Sequence, residues 1–237
     1  MIQTERLSFT GARRALVFLA AGAAFAAVPA LAARTAAAAP PAPRPIEIGA
    51  ARLLPLGTVV TVEGAVTVPS GLLSSGGSLD QGFAIQDRTG GIYVSVATNL
   101  GLTLRQRVQV TGALAAANGF LILVPASAGD VEVRGRGPRV KPLWLRTGSV
   151  GPANQGLLVR VVGVITQPVA PDPPFGNQVV VDDGSGPVRI FVNTSTGIDV
   201  SGLAPGQLLS VTGLSDEFDT PEIDPRFQSD LRQPADR

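Results

Sequence analysis

The 237-residue sequence contains no histidine and no cysteine. Without imidazole, neither a Ser-His-Asp triad nor a histidine metal centre can be assembled. Without thiols, cysteine chemistry, disulfides and thiolate metal sites are excluded too. Lys141 is the single lysine, and aromatic residues make up only 5% of the chain, with one Trp and one Tyr. Catalysis is left with carboxylates, hydroxyls, Arg and Tyr93, so no catalytic residue, cofactor or metal-ligand set is assigned and the expectation is a non-enzyme. A core so poor in aromatics must be filled by Val, Leu, Ile and Ala. The 28 Gly and 20 Pro scattered between short apolar runs point to turn-rich β structure.

The first residues differ in kind from the rest. Arg13 and Arg14 precede an uninterrupted apolar run, Ala15 to Val28, followed by Pro29 and Ala30-Leu31-Ala32. A basic start, a short hydrophobic segment and a small-x-small site are the parts of a secretory signal peptide. The run is shorter than the roughly 20 residues that cross a bilayer. The expected organisation is a signal peptide over 1–32 and an Ala/Pro-rich spacer over 33–45, with no membrane span in the mature chain. The expected location is the periplasm or the extracellular medium. Cleavage would remove Arg6, Arg13 and Arg14 against Glu5, leaving 16 basic and 17 acidic residues and a net charge of −1. The mild basicity of the whole chain therefore belongs to the leader, whereas nonspecific polyanion binders carry a clear basic excess.

The remainder contains an internal repeat. The segments beginning at Thr58, Phe83 and Arg107 align with those beginning at Leu157, Val179 and Leu208, at offsets of 99, 96 and 101 residues. Each block has strand character. Gly64 and Gly163 interrupt the first strand at matching places, as a bulge or sharp coil would require. A hairpin follows, turning at Arg88-Thr89-Gly90-Gly91 in one copy and Asp183-Gly184-Ser185-Gly186 in the other. Leu104 to Leu114 is expected as a fourth strand, Asn118-Gly119 as a type I′ turn and Phe120 to Val124 as a fifth strand.

The pattern V-x-G-x-V-T over Val62–Thr67, G-F-x-I-Q-D-x-x-G-G-I-x-V over Gly82–Val94 and R-V-x-V-T-G over Arg107–Gly112 resembles the oligonucleotide/oligosaccharide-binding (OB) repeats of exported bacterial nucleases and related secreted proteins. Gly156–Gly163 resembles the start of a second copy. The resemblance implies an all-β chain of two tandem five-stranded OB-like barrels, over 46–138 and 139–237. In the nucleases such repeats accompany a catalytic domain, and none is expected within these 237 residues.

OB barrels usually bind ligands on the outer face of strands 2 and 3. Side chains alternate along a strand, which turns Ile92, Val94, Val96, Val188, Ile190 and Val192 inward. Tyr93, Ser95, Arg189, Phe191 and Asn193 then face outward. Tyr93 and Phe191 either stack on bases or sugars, or cover hydrophobic surface or pack one barrel on the other, and Arg189 is placed to meet phosphate. The densest positive feature is the junction, where Arg134, Arg136, Arg139, Lys141 and Arg146 surround Trp144. This segment suits a phosphate backbone with one stacked base, or a solvated inter-barrel linker. Acidic residues gather later at Asp216, Glu217, Asp219, Glu222 and Asp224, with Asp182-Asp183 at a hairpin turn. A solvated acidic loop is favoured there over a Ca²⁺ site or a glycosidase pair. The leading expectation is an exported binding protein whose partner is single-stranded nucleic acid. The alternative is an envelope module that binds protein or glycan.

Overall fold

A computed structural model describes residues 44–75 and 80–233. The expected signal peptide and nearly all of the spacer lie outside the described residues. No helix among the described residues is long and apolar enough to cross a membrane.

A single turn of helix, α1 (Ile48–Ala51), precedes β1 (Val59–Val68), β2 (Phe83–Gln86), β3 (Gly91–Val94), β4 (Gln106–Ala117), β5 (Phe120–Val124) and β6 (Val131–Arg136). These strands form one sheet in the order β1-β2-β3-β5-β4-β6, and β1 also pairs with β4. That second pairing closes β1 to β5 into a barrel, with β6 added along β4. The second copy consists of β7 (Leu143–Trp144), β8 (Leu158–Ile165), β9 (Ala170–Asp172), β10 (Gly176–Asp182) and β11 (Pro187–Asn193), then β12 (Leu208–Phe218), β13 (Thr220–Asp224) and β14 (Leu231–Arg232). Its strands follow the order β14-β12-β13-β11-β10-β8-β7, β12 closes onto β8, and β9 pairs with β10. Strand for strand, β8, β10, β11, β12 and β13 repeat β1 to β5. The third and fifth strands of each copy run parallel, and the other barrel pairings are antiparallel. The chain is all-β, two tandem five-stranded OB-like barrels.

Each barrel is filled from its own alternating positions. Val60, Val62, Phe83, Ile85, Ile92, Val94, Val108 and Val110 belong to the first core. Val159, Val161, Val179, Val181, Val188, Ile190, Val192 and Val211 belong to the second. Fully burying one such side chain contributes about 1.5–3 kcal/mol, which is how a core with few aromatic rings can hold. The first strand of each copy is shared between two neighbours. β1 pairs with β4 up to Ala65 and with β2 from Ala65 onward, and β8 makes the same exchange at Val164. Gly64 and Gly163 sit beside those exchange points, where a Cβ would lie 3.0 Å from the Gln86 backbone or 2.7 Å from that of Asp182. The register shift in β1 falls between Val66 and Val68 rather than at Gly64. The Asn118-Gly119 turn has the positive φ values, 50° and 91°, that a type I′ turn needs.

The barrels meet across a third apolar cluster, in which Val68, Leu73, Ala84, Tyr93, Phe120 and Ile122 of the first pack with Leu214 of the second. Where β3 begins, its backbone touches the segment before β8 so closely that a Cβ on Gly91 would lie 2.0 Å from the Gly156 carbonyl oxygen. Gln155 bridges the joint by accepting from the Leu121 N–H at 3.0 Å and donating to the Gly119 carbonyl at 3.0 Å. The Arg226 guanidinium donates to the Thr67 carbonyl at 2.7 Å and is held by both oxygens of Asp230, at 2.9 and 3.0 Å.

Candidate nucleic-acid interface

Alternation places Tyr93 on the outside of its barrel, as expected, but the side chain is only 1% exposed. The second barrel and the segment around Leu73 cover it. Its ring packs against Phe120, with centroids 5.9 Å apart. Its hydroxyl donates to Asp80 at 2.8 Å or to the Leu73 carbonyl at 2.9 Å. Burial, followed by the Asp80 charge, pushes the phenol's pKa well up. Of the roles expected for Tyr93, the structure shows the packing of one barrel on the other, and the ligand-stacking role is corrected. Ser95 is likewise engaged with Asp80.

Arg189 is not a free phosphate contact either. Its Nε donates to Glu222 at 2.6 Å, and a terminal nitrogen donates to the Phe218 carbonyl at 2.6 Å. Phe191 is half-buried beside Gly176, on the strand face opposite the core. Phe191 alone of this outward set keeps part of an aromatic ring in solvent, away from the basic segment in sequence.

The junction is more open. Arg134 lies on β6 and is paired with Glu132 and Gln109. Arg136, Arg139, Lys141 and Arg146 are exposed and have no ion-pair or side-chain hydrogen-bond partner among the described residues. Trp144 lies on β7, in parallel register with Arg160 of β8, and is 63% exposed. The Arg160 guanidinium stands 5.3 Å from the Trp144 ring centroid and donates through Nε to Thr212 at 2.8 Å. One indole face is thus backed by a fixed cation while much of the ring remains in water. A segment expected as either linker or binding strip is anchored at both ends by β pairing, through β6 to β4 and β7 to β8. Sequence reasoning misses Arg160 because nothing in the sequence links it to Trp144; the parallel β7–β8 pairing does.

No protein-family model matches the chain, and no curated protein matches its sequence. Among solved structures, the chain is similar to the crystal structure of the p204 HINb domain at 14% identity and a TM-score of 0.36, over 71% of this chain and 91% of that one. It is similar to a murine DNA-binding protein bound to double-stranded DNA at 11% identity and a TM-score of 0.36, over 69% and 92%. It is also similar to a replication protein A heterotrimer bound to single-stranded DNA, at 13% identity and a TM-score of 0.32, over 78% and 51%. The OB-like assignment rests on strand order and closure, and these likenesses decide nothing about the ligand.

The late acidic segment departs most from expectation. It forms the β12–β13 hairpin, and three of its acids are buried: Asp216, Glu222 and Asp224 are 7%, 4% and 2% exposed. The solvated acidic loop is therefore corrected to a buried carboxylate cluster. Cross-strand register sets Asp216 opposite Glu222 and Leu214 opposite Asp224, so the three acids share the outer face that carries Leu214 into the joint. One oxygen from each carboxylate lies within 4.8 Å of the others, a spacing that could hold a metal ion. Burial pushes Asp216 and Asp224 well above the usual carboxylate range, with Glu222 adding to both. Burial also raises Glu222, to about 7, against the opposing pull of Arg189. The repeat held the signal for this hairpin. Continuing the offset of 101 carries Asn118 onto Asp219, and the two share a positive φ, 50° and 60°.

Proposed function

We propose that the chain is an exported, non-enzymatic protein that binds single-stranded nucleic acid along the strip formed by Arg136, Arg139, Lys141, Trp144, Arg146 and Arg160. The observation that carries this reading is the half-open Trp144 ring, backed by Arg160 and flanked by four cations that have no partners among the described residues. Such an arrangement offers one base a stacking surface and offers adjacent phosphates positive charge. The near-neutral mature charge opposes the reading less than the raw count suggests, because Asp216, Glu222 and Asp224 are withdrawn from the surface. Export is supported by the signal-peptide pattern in residues 13–32. A role beside an exported nuclease fits the sequence resemblance.

Fluorescence anisotropy of a labelled oligonucleotide, at low and moderate salt, tests this. Affinity should fall as salt rises, and the slope should shrink by about 0.7 for each phosphate that Arg136→Ala with Arg139→Ala no longer neutralises. Trp144→Ala should weaken binding by roughly 5- to 150-fold, the range expected for one stacked base. Absence of binding at low salt would overturn the nucleic-acid reading in favour of an envelope protein- or glycan-binding module. Binding that ignores all three substitutions would move the site elsewhere.

A further inference from the structure

We propose that Asp216, Glu222 and Asp224 form a divalent-cation site, with the size and ligand chemistry of Ca²⁺, on the outer face of the β12–β13 hairpin. The inference does not depend on the nucleic-acid reading. One oxygen of each carboxylate lies within 4.8 Å of the other two, close to the spacing of oxygens that ligate one Ca²⁺ at about 2.3–2.6 Å. The hairpin register holds these oxygens in place, with Asp216 and Glu222 directly opposed.

A second observation points to a ligand. The Oδ1 atom of Asp224 is fully buried and has no hydrogen-bond partner among the described residues. A buried carboxylate oxygen without a partner is strongly disfavoured, and a bound cation would satisfy it. The charges agree. Among the described residues, Arg189 is the cation paired with the cluster, through Glu222. Three carboxylates against one guanidinium leave two negative charges, which a divalent ion balances. An all-oxygen ligand set suits a hard cation rather than a thiolate- or imidazole-seeking metal. Mg²⁺ demands near-ideal octahedral geometry and keeps several waters, which suits a buried face less well than Ca²⁺ does.

The site also has a mechanical consequence. Leu214, paired with Asp224 across the hairpin, packs among the Tyr93 and Phe120 cluster of the first barrel. Tyr93 is near enough to Asp216 and Asp224 to feel their charges. An ion here would brace the second barrel's half of the joint.

The competing state is a protonated cluster in which Asp216 and Asp224 share a hydrogen bond. Equilibrium dialysis of the full chain against Ca²⁺ and thermal melting with Ca²⁺ or EGTA separate the two, with Tb³⁺ emission sensitised by Tyr93 as a third readout. The site predicts one ion per chain, Tb³⁺ emission displaced by Ca²⁺, and a Tm higher by roughly 5–10 °C at about a hundredfold excess over Kd. Asp224→Asn should abolish all three. If the wild-type chain retains no ion in dialysis, the proposal is overturned whether or not any variant folds. Ion binding that persists unchanged in Asp224→Asn with Glu222→Gln overturns it equally. So does an Asp224→Asn chain that melts higher than a wild type indifferent to Ca²⁺, the behaviour of a protonated cluster.

Discussion

The two barrels share strand order, parallel third and fifth strands and a matching turn at Asn118 and Asp219, yet their outer faces are opposite in character. On the first, Ala84, Tyr93, Phe120 and Ile122 make an apolar surface. On the second, the equivalent strands carry Arg189, Asp216, Glu222 and Asp224, with Leu214 as the apolar contact. The hydrophobic face is covered by the neighbouring barrel, and the charged face is balanced only in part, by Arg189 on Glu222. A repeat thus preserves backbone topology while its outer positions diverge, and the surfaces from which an OB barrel usually binds serve here to hold the pair together. The edges stay open, where β6 and β7 bring the junction's cations and Trp144 into solvent.

Four substitutions probe that contrast. The largest effect is expected from Arg226→Ala, which removes the tie to the Thr67 carbonyl and strands Asp230, a buried ion-pair partner. Removing one partner of a buried pair costs about 3–5 kcal/mol, and circular-dichroism melting should show Tm lower by roughly 6–20 °C. Tyr93→Phe keeps the ring in the joint but takes a donor from Asp80 and the Leu73 carbonyl. A loss of about 1–3 kcal/mol in urea unfolding is expected. Unchanged stability would mean that the hydroxyl is hydrated and that the joint is looser than described.

Trp144→Ala should do the reverse of Tyr93→Phe. Apart from the interaction with Arg160, worth about 0.5–1 kcal/mol at an exposed site, stability should hold while oligonucleotide affinity falls. The smallest effect belongs to Asp183, at the turn of the second barrel's hairpin. Its carboxylate accepts from Ser185 and from Thr147, and the Ser185 hydroxyl above all holds its pKa down, from 3.8 to about 2. A carboxyl held low stabilises the fold above its unfolded pKa and loses that contribution as pH falls through its folded one. The wild-type advantage over Asp183→Asn, present at neutral pH, should shrink as melts are taken from about pH 4 toward pH 2.

Most of the strand plan is legible in the sequence because alternation and repetition are local. Ile92 and Val94 turn inward with Val188, Ile190 and Val192, and Asn118-Gly119 forms the turn its residues favour. The same alternation marks Tyr93 as outward, but outward from one barrel does not mean outward from the molecule. Coverage by a second barrel involves Leu214, more than a hundred residues away, and no periodicity encodes it. The acidic segment misleads for a related reason. Thr220-Pro221 and Asp224-Pro225 have the composition of turns, whereas the β12–β13 register converts that spacing into a cluster on one buried face. Another shared device is legible only in part. Asp87 accepts from the Ile48 N–H at 2.9 Å and Asp183 from the Thr147 N–H at 3.3 Å. Each hairpin turn thereby fastens the helical turn that precedes its barrel, a long-range bond visible beforehand only as two Asp-x-Ser/Thr-Gly turns.

The proposal that binding falls to the junction, and not to the largely covered outer faces, can be tested on the chain's single tryptophan. Titrating a single-stranded oligonucleotide into the protein at low salt while following Trp144 emission should give saturable quenching that weakens with added salt and with Arg136→Ala and Arg139→Ala. Emission unchanged at low salt, while the oligonucleotide demonstrably binds by anisotropy, would place the ligand away from Trp144 and contradict the account.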